Sequence, residues 1–505
     1  MNDVAHLVRF TLPLALLLTG SCVYFPQFEP REPTYAVAPD PQSRIAHHMG
    51  PARLNEQRAT LVTSAPFALT SRLDLIDAAD SSLDLQYFIW ENDPSGIVAI
   101  EKVLAAADRG VRVRALLDDV RLEGLVNRLS ALNSHPNITV RIFNPFSVRW
   151  RYRLGFLRLA EFAIDGNRLN HRMHNKLFVV DNQVAMLGGR NIGDDYFGRS
   201  RERNFIDLDM VLTGPVVPEL SRGFDAYWNS RWAYPVDELF NVSMVPDELT
   251  ELRERLRRRI ARHPDLDALA QAQDYATTLD KLSQGAPVDA ALVVVDEPSV
   301  AWLDEPDQLA DALSRIAASA RNEVLVVTPY LIPTPELLEI TPNLIERGVR
   351  IRIVTNSLTT NDVVIAQAAY SHYRRRIVDA GIELYELRDD AELAHSLHSD
   401  DISLHQKYIV FDGKSVFVGS MNLDHRSLYL NTELGVLVES PELATELADM
   451  FEELVSPDNS WRIIRTDTGV AWQSSAGTLQ RQPAKSWWQR LRHWFYRLLP
   501  VSRQL

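Results

Sequence analysis

Short apolar runs alternate with helical repeats along the first half of the chain. The runs are rich in β-branched and aromatic residues, as in buried strands, and between them apolar residues return every three or four positions, as in amphipathic helices. This pattern predicts strands over residues 82–90, 111–117 and 138–143, separated by helices over residues 97–108 and 122–133. That order is typical of an α/β unit.

The second half of the chain repeats this order. Its predicted elements alternate between helix and strand, at residues 309–320, 323–327, 335–346, 349–354, 362–380 and 382–387. Residues 109–114 read Arg-Gly-Val-Arg-Val-Arg and residues 347–352 read Arg-Gly-Val-Arg-Ile-Arg, which also indicates a duplication. We therefore predict an α/β fold of two fused halves related by a pseudo-twofold axis, each a mostly parallel sheet flanked by helices.

One motif with chemically active side chains occurs once in each half. Its residues are His174, Lys176, Asp181, Gly188, Gly189 and Asn191 in the first half, and His405, Lys407, Asp412, Gly419, Ser420 and Asn422 in the second. The histidine and the lysine stand two positions apart, so both point to one face of a strand, and a returning strand brings the asparagine back to the same end. Each half thus offers part of a site for a tetrahedral anion, and we expect the two parts to meet at the interface of the halves.

Metal binding and simple core packing are the alternatives for these residues. A lysine two residues from the histidine is a poor neighbour for a cation, and each half supplies few metal ligands. Buried lysines are rare, so two structural copies would be unusual. The motif therefore favours phosphate chemistry. We expect no metal and no cofactor, because two ammonium groups supply the positive field.

The doubled H-x-K-x4-D-x6-G-[GS]-x-N motif resembles the phospholipase D superfamily over most of residues 61–440. Residues 173–176, 188–197 and 355–362 are similar to the bacterial C-type cardiolipin synthases within it. The resemblance implies two phospholipase D-like halves with the active site at their interface. It also implies transfer of a phosphatidyl group to phosphatidylglycerol, with phosphatidylethanolamine as one candidate donor.

Two imidazoles can divide a phosphoryl transfer between them. A neutral imidazole attacks phosphorus and forms a phosphohistidine, while a protonated one gives its proton to the departing alkoxide. The symmetry of the sequence does not decide which histidine attacks. The resemblance favours His174 as the nucleophile and His405 as the general acid and base.

The other motif positions have separate expected roles. The two lysines and the two asparagines would hold the non-bridging oxygens as charge develops. Asp207 and Glu433 lie at matching places in the strand that follows each motif, and the resemblance also assigns acids there, so we expect them to orient the imidazoles. Asp181 and Asp412 lie at turns and are expected to cap backbone N–H groups.

Other functions stay open at this point. They are a hydrolytic phospholipase D that releases phosphatidic acid, a periplasmic phosphodiesterase or nuclease, and a lipid-binding scaffold with an inactive site. The net charge of −14 disfavours a nucleic-acid partner. Every motif position is present in both halves, which argues against an inactive site. Phospholipids and the membrane surface are the expected partners, and the sequence indicates no particular protein partner.

The start of the chain predicts export. The chain has 505 residues and one cysteine, Cys22, which follows a short apolar run at residues 10–18. This arrangement resembles a bacterial lipoprotein signal, with an uncleaved anchor or a chance match as alternatives. We therefore expect a membrane-associated protein of the bacterial cell envelope, lipidated at Cys22.

Composition and pattern together predict the domain organisation. With 46% apolar and 24% charged residues in 505, the chain is globular and long enough for two cores. The predicted segments are a signal segment (1–22), a tether (23–54), the first half (55–235), a helical insert (236–296), the second half (297–460) and a tail (461–505). The insert carries a basic run at residues 253–259, which is either a solvated helix face or a contact for anionic lipid.

The tail contains an amphipathic segment. Trp487, Leu491, Trp494 and Leu498 share one helical face, with arginines around them. This pattern is typical of a helix that lies in a membrane interface, and the alternative is a helix docked on its own domain.

Overall fold

Two large β-sheets organise the molecule, one built mainly from each half of the chain. The computed structural model describes residues 30–122, 125–146, 165–239, 248–271, 274–299, 308–333, 335–396, 399 and 401–498. The predicted signal segment with Cys22 lies outside the described residues, as does the end of the tail beyond residue 498.

The first sheet has nine strands in the order β10-β4-β3-β2-β6-β7-β9-β1-β11. The strands of this part of the chain are β1 (Arg58–Val62), β2 (Ser82–Tyr87), β3 (Arg112–Asp118), β4 (Ile138–Phe143), β5 (Arg172–Met173), β6 (Leu177–Val180), β7 (Val184–Gly188), β8 (Arg203–Ile206), β9 (Asp209–Thr213), β10 (Ala233–Pro235) and β11 (Ala286–Pro287). The helices are α1 (Arg44–Met49), α2 (Pro51–Asn55), α3 (Ala65–Ala78), α4 (Pro94–Asp108), α5 (Val126–Asn133), α6 (Val216–Trp228), α7 (Val236–Leu239), α8 (Glu248–Ile260), α9 (Pro264–Gln271) and α10 (Tyr275–Ser283).

The second sheet has ten strands in the order β12-β20-β18-β17-β13-β14-β15-β21-β22-β23. The strands here are β12 (Ala290–Val295), β13 (Glu323–Val327), β14 (Arg350–Asn356), β15 (Glu383–Leu387), β16 (Asp401–Leu404), β17 (Tyr408–Phe411), β18 (Ser415–Gly419), β19 (Asn431–Thr432), β20 (Leu434–Glu439), β21 (Ser460–Thr466), β22 (Gly469–Ser474) and β23 (Gly477–Leu479). The helices are α11 (Gln308–Ser319), α12 (Pro335–Glu346), α13 (Val364–Tyr370), α14 (Arg374–Asp379), α15 (His425–Tyr429), α16 (Pro441–Val455) and α17 (Trp487–Tyr496).

The strand directions correct one prediction. Among the described strands of the two sheets, only β2–β3, β3–β4, β13–β14 and β14–β15 pair in parallel. The prediction of mostly parallel sheets is therefore wrong, and both sheets are mixed. The reason is the motif itself: Asp181 (φ 52°) and Asp412 (φ 53°) begin tight turns, and a tight turn joins antiparallel strands.

A shared hydrophobic core joins the two halves. One cluster of buried residues contains side chains of the first sheet and α6 together with side chains of the second sheet and α16. Leu187 of the first half and Val418 of the second half are both members. Separate clusters lie under α3, α4 and α5 in the first half and under α11 and α12 in the second. Burial of apolar surface across the junction holds the halves together. The predicted α/β architecture of two fused halves is confirmed.

The predicted tether is wrong for residues 30–54. Trp228 Nε1 donates a hydrogen bond to Thr34 Oγ1 at 2.8 Å, and Ser43 Oγ donates to Gln183 Oε1 at 2.8 Å. Ile45 is fully buried. The segment packs on the first half because the apolar residues of the short helix α1 are buried there.

Other predicted segments also differ from the structure. The helices of the insert pack on the first half through buried Leu252 and Leu256, and Arg253 of the basic run pairs with Asp108. β12, expected at the end of the insert, belongs to the second sheet, and this sheet continues through β21–β23 beyond residue 460. The single helix expected over residues 362–380 is divided into α13 and α14. In the described part of the chain, no helix is both long and apolar enough to cross a bilayer.

Candidate active site

The two motif histidines line one cavity at the junction of the halves. His174 follows β5, His405 follows β16, and both belong to the wall of a cavity of about 600 Å³. The backbone N–H of His174 donates to Thr432 O at 3.0 Å, and that of His405 donates to Ile206 O at 2.8 Å. A strand of the opposite half therefore holds each histidine.

Two short parallel ladders set the register across the junction. β5 pairs with β19, so the residues that follow these strands, His174 and Glu433, become neighbours. β16 pairs with β8 in the same way and brings His405 beside Asp207. Residues in register on parallel strands lie side by side with their side chains on one face. The ladders therefore place an acid from one half beside the imidazole of the other.

Each imidazole is hydrogen-bonded to that acid. His174 Nδ1 lies 2.9 Å from Glu433 Oε2, and His405 Nδ1 lies 2.6 Å from Asp207 Oδ2. All four side chains are buried. A proton on Nδ1 that is shared with a carboxylate leaves the Nε2 atom of each ring for chemistry in the cavity.

The motif glycines and serine make room for these acids. A Cβ at Gly189 would lie 2.1 Å from Asp207 Oδ1, so only glycine fits there. The equivalent residue of the second half, Ser420, donates its hydroxyl hydrogen to the Glu433 carboxylate. Gly188 and Gly419 precede them in the chain, and a Cβ at these positions would lie 2.4 Å from Leu208 O and 2.5 Å from Leu434 O, respectively.

The lysines lie behind the histidines. Lys176 Nζ donates to His174 O at 2.6 Å, and Lys407 Nζ donates to His405 O at 2.5 Å. The histidines and asparagines are part of the cavity wall, whereas neither lysine belongs to it among the described residues. Burial lowers the pKa of Lys176 to about 7 and that of Lys407 to about 8.

The two asparagines differ in their hydrogen bonds. Asn191 Nδ2 donates to the Tyr196 hydroxyl at 2.8 Å, and its Oδ1 accepts from the Ile89 backbone N–H at 3.1 Å. Asn422 also lines the cavity, but its Oδ1 has no hydrogen-bond partner within the described part of the chain. Asn422 is therefore freer than Asn191 to bind a ligand.

The electrostatics of the two histidine–acid pairs are also unequal. Burial, followed by the charges of Lys176 and Lys407, holds the pKa of His174 well below its usual value. Burial also raises the pKa of its partner Glu433 to about 7. In the other pair, burial acts to raise the pKa of Asp207, but His405 and Lys407 outweigh it and the pKa is lowered. Burial and the charge of Lys407 lower the pKa of His405. The charge of Asp207 raises this pKa and so offsets part of the lowering.

The two motif aspartates lie away from the cavity. Asp181 accepts hydrogen bonds from the backbone N–H groups of Asp80, Ser81 and Ser82, at 2.8–2.9 Å. Asp412 accepts from those of Arg321, Asn322 and Glu323 in the second half. Each carboxylate thus satisfies the backbone where the strand beside the motif begins.

Other cavity residues were not predicted as site residues. The charged members are Glu91, Asp93, Arg121, Asp195, Arg203, Asp362, Asp424 and Arg426. Arg426 crosses the junction and donates to Asn170 O at 2.6 Å. Asp424 and Arg426 closely follow Asn422, and Asp195 and Asp362 belong to the segments 188–197 and 355–362 that carry the resemblance, so these four had a local signal. The others lie in separate parts of the first half, and no local pattern indicates that they meet in one cavity.

Aromatic rings pack around both imidazoles. Phe88 meets His174 edge-on, with 4.9 Å between the ring centroids. Tyr196 and Phe205 lie against His405, with centroid distances of 5.4 Å and 4.9 Å. These rings limit the approach of water to the imidazoles, which strengthens electrostatic interactions in the cavity.

The protein thus has two fused α/β halves whose histidines meet in one cavity. This arrangement of duplicated half-sites is that of the phospholipase D superfamily. The family model described as "Cardiolipin synthase, PLD-like domain" matches residues 73–228 and 313–455, one segment in each half. The chain belongs to this family and is an enzyme of the phospholipase D superfamily, of the phosphatidyltransferase type.

Named relatives cover most of the chain. Cardiolipin synthase C of Escherichia coli K12 is 36% identical over 461 residues, which are 86% of this chain and 93% of the relative. Cardiolipin synthase A of Pectobacterium carotovorum is 24% identical, over 82% of this chain and 72% of the relative. The crystal structure of the phosphatidylserine synthase of Haemophilus influenzae superposes with a TM-score of 0.54 at 16% identity, over 80% of this chain and 87% of that one, and supports the fold. The predicted family and enzyme class are confirmed.

Proposed function

We propose that the protein transfers a phosphatidyl group from a donor phospholipid to a hydroxyl of phosphatidylglycerol, which yields cardiolipin, through a phosphohistidine intermediate. The observation that carries this proposal is the pair of crossed histidine–acid contacts around one cavity. Similarity to cardiolipin synthase C over 93% of that protein supports the choice of substrate.

In the first step, Nε2 of His174 attacks the phosphorus of the donor. The P–O bond to the donor alcohol breaks, and His405 gives its proton to the departing oxygen. This assignment is supported by the surroundings of the rings: the lowered pKa of His174 keeps that ring neutral, while the charge of Asp207 favours the protonated form of His405.

In the second step, the acceptor hydroxyl gives its proton to His405 and its oxygen attacks the phosphorus. The P–N bond to His174 then breaks, so both histidines return to their starting states. Two displacements at phosphorus retain its configuration. The Nδ2–H of Asn422 is placed to donate to a non-bridging oxygen, and the two lysines supply positive charge behind the imidazoles.

The proposal extends to location. Phospholipid substrates require access to a membrane surface, and lipidation at Cys22 after export would supply a permanent anchor. The signal segment and the lipid attachment stay predictions from the sequence. Palmitate labelling of cells that express the wild-type chain or the Cys22→Ala variant tests them directly.

The test of function is product analysis with defined vesicles. Purified protein is mixed with phosphatidylethanolamine and phosphatidylglycerol, and the lipids are identified by mass spectrometry. We expect cardiolipin from the wild-type protein and none from His174→Ala or His405→Ala. Phosphatidic acid as the main product at high acceptor concentration would identify a hydrolytic phospholipase D instead. Mapping of an alkali-stable phosphopeptide to His405 rather than His174 would reverse the two roles.

A further inference from the structure

The C-terminal helix α17 leaves an aromatic face uncovered. Nine large apolar side chains are exposed among the described residues, and six of them belong to this helix and its end. They are Trp487, Trp488, Leu491, Trp494, Phe495 and Leu498, each between 42% and 64% exposed. An exposed apolar surface of this kind marks a site of contact with a membrane or another protein.

The opposite face of α17 fixes the helix on the second half. His493 is buried, and burial lowers its pKa to about 4, so the ring is neutral. Gln489 Nε2 donates to Leu358 O at 2.8 Å, and Ser486 Oγ caps the helix by accepting from the Gln489 backbone N–H at 3.2 Å. The helix is therefore docked and still presents its aromatic face outwards. The docking on its own domain that the sequence left as an alternative therefore holds for this face, and the membrane contact of the other face stays a prediction.

The charge around this face indicates what it contacts. The segment from Lys485 to Leu498 contains four lysine and arginine residues and no acid, although the whole chain has a net charge of −14. The arginines Arg490, Arg492 and Arg497 are exposed beside the aromatic face. Tryptophan with surrounding arginine suits the interface of an anionic bilayer, where the rings enter the headgroup region and the cations meet the phosphates.

A cleft beside α17 adjoins the reaction cavity. It has a volume of about 340 Å³, and its wall includes Lys485, Trp488 and Arg492. Arg203 and Asp362 line both this cleft and the reaction cavity, so the two spaces adjoin.

The cations of the cleft are not equivalent. Lys485 and Arg203 both pair with Asp401, whose carboxylate neutralises much of their charge. Arg492 has no ion pair within the described part of the chain and is exposed. It is therefore the cation of the cleft that is available to an anionic ligand.

We propose that the aromatic face of α17 lies in the headgroup region of an anionic bilayer, and that Arg492 binds the phosphate of a lipid headgroup in the cleft at the entrance of the reaction cavity. The role of the cleft as an entrance rests on the proposed function, whereas the membrane contact does not. A protein partner on the same face is the competing occupant, and the first experiment separates it from a bilayer.

The first experiment uses the single cysteine of the chain. In the full chain with Cys22→Ala, an environment-sensitive fluorophore is attached at Leu491→Cys, and in a matched control at Leu292→Cys, another exposed leucine of the second half. With vesicles of phosphatidylcholine and phosphatidylglycerol, we expect a blue shift at position 491 and none at 292. No shift at 491 while the protein sediments with the vesicles, or equal shifts at both positions, would overturn the membrane contact.

The second experiment separates the cleft from general charge attraction. Arg492→Gln is compared with Arg490→Gln, which removes the same charge from the same helix outside the cleft. We expect Arg492→Gln to raise the vesicle concentration needed for half-maximal transfer about fivefold more than Arg490→Gln. Equal effects of the two variants would overturn the headgroup site. A shift at position 491 of the labelled variant, together with no transfer product from the wild-type protein, would refute the proposed function and leave the membrane contact intact.

Discussion

His174 and Glu433 are 259 positions apart in the chain, yet Nδ1 of the imidazole lies 2.9 Å from Oε2 of the carboxylate. The second pair mirrors this contact, with His405 Nδ1 at 2.6 Å from Asp207 Oδ2. Neither half therefore holds a complete histidine–acid pair of its own. Each catalytic histidine therefore depends on an acid of the other half.

Glu433→Gln should impair transfer without unfolding the protein. Glutamine keeps the shape of the side chain but removes its charge, and its amide can donate to Nδ1 and so favour the wrong tautomer of His174. We expect kcat to fall about 10²- to 10⁴-fold, measured as the initial rate of lipid transfer. Glu439→Gln, at the exposed end of the same strand β20, is the control and should keep full activity. A Glu433→Gln rate close to that of the control would contradict an orienting role.

Asp207→Asn should change the pH dependence of transfer. The Asp207 carboxylate raises the pKa of His405, so its neutralisation lowers that pKa further. Because a general acid must be protonated, the rate falls as the pH rises through its pKa. The descending limb of the kcat–pH profile should therefore move to lower pH. Glu202→Gln, an exposed acid just before β8, should leave the profile in place, and a shift of the Asp207→Asn profile to higher pH would contradict the role of His405.

Gly189→Ala should displace the side chain of Asp207 without preventing the protein from folding. The new Cβ would lie 2.1 Å from Asp207 Oδ1 and 2.9 Å from His405 O. We expect a loss of about 1–3 kcal/mol in unfolding free energy and up to about a 100-fold fall in transfer rate. The measurements are urea denaturation and initial rates. Ser420→Ala in the second half is the comparison, because a Cβ is already present there and only the hydroxyl is lost, with its hydrogen bonds to Glu433 and to the Leu434 backbone. Full activity of Gly189→Ala would show that the close contact has no catalytic consequence.

Asp181→Ala should affect stability more than Asp412→Ala. Both carboxylates accept several backbone N–H groups, but Asp181 is fully buried and Asp412 is partly exposed, so water replaces the lost acceptor only in the second case. We expect a loss of about 1–3 kcal/mol for Asp181→Ala, measured by urea denaturation, and a smaller loss for Asp412→Ala. The kcat of the folded fraction should change little in either variant. A large fall in kcat at full stability would assign a catalytic role to these aspartates.

The local sequence pattern predicted the limits of an element correctly where turn residues or a proline mark its ends. The predicted strand 138–143 and the predicted helix 335–346 have the same limits in the structure, as Ile138–Phe143 and Pro335–Glu346. Turn residues bound the strand, and proline begins the helix. The direction of strand pairing was not predictable in this way, because a buried strand has the same apolar run whether its neighbour is parallel or antiparallel. The cavity residues Arg121 and Arg203 also had no local signal, since they lie far apart in the chain, after β3 and at the start of β8, and meet only in the folded protein.

The sequence by itself determined the chemistry of each half-site, because the spacing of the motif and the geometry of a strand place His, Lys and Asn at one end of a hairpin. Only the tertiary structure decided which acid serves which histidine. Parallel pairing of β5 with β19 and of β16 with β8 crosses the junction and exchanges the acids between the halves. This pairing is made by backbone hydrogen bonds between strands that lie about two hundred or more positions apart in the chain. Backbone groups are the same in every residue, so their pairing leaves no pattern of side chains in the sequence.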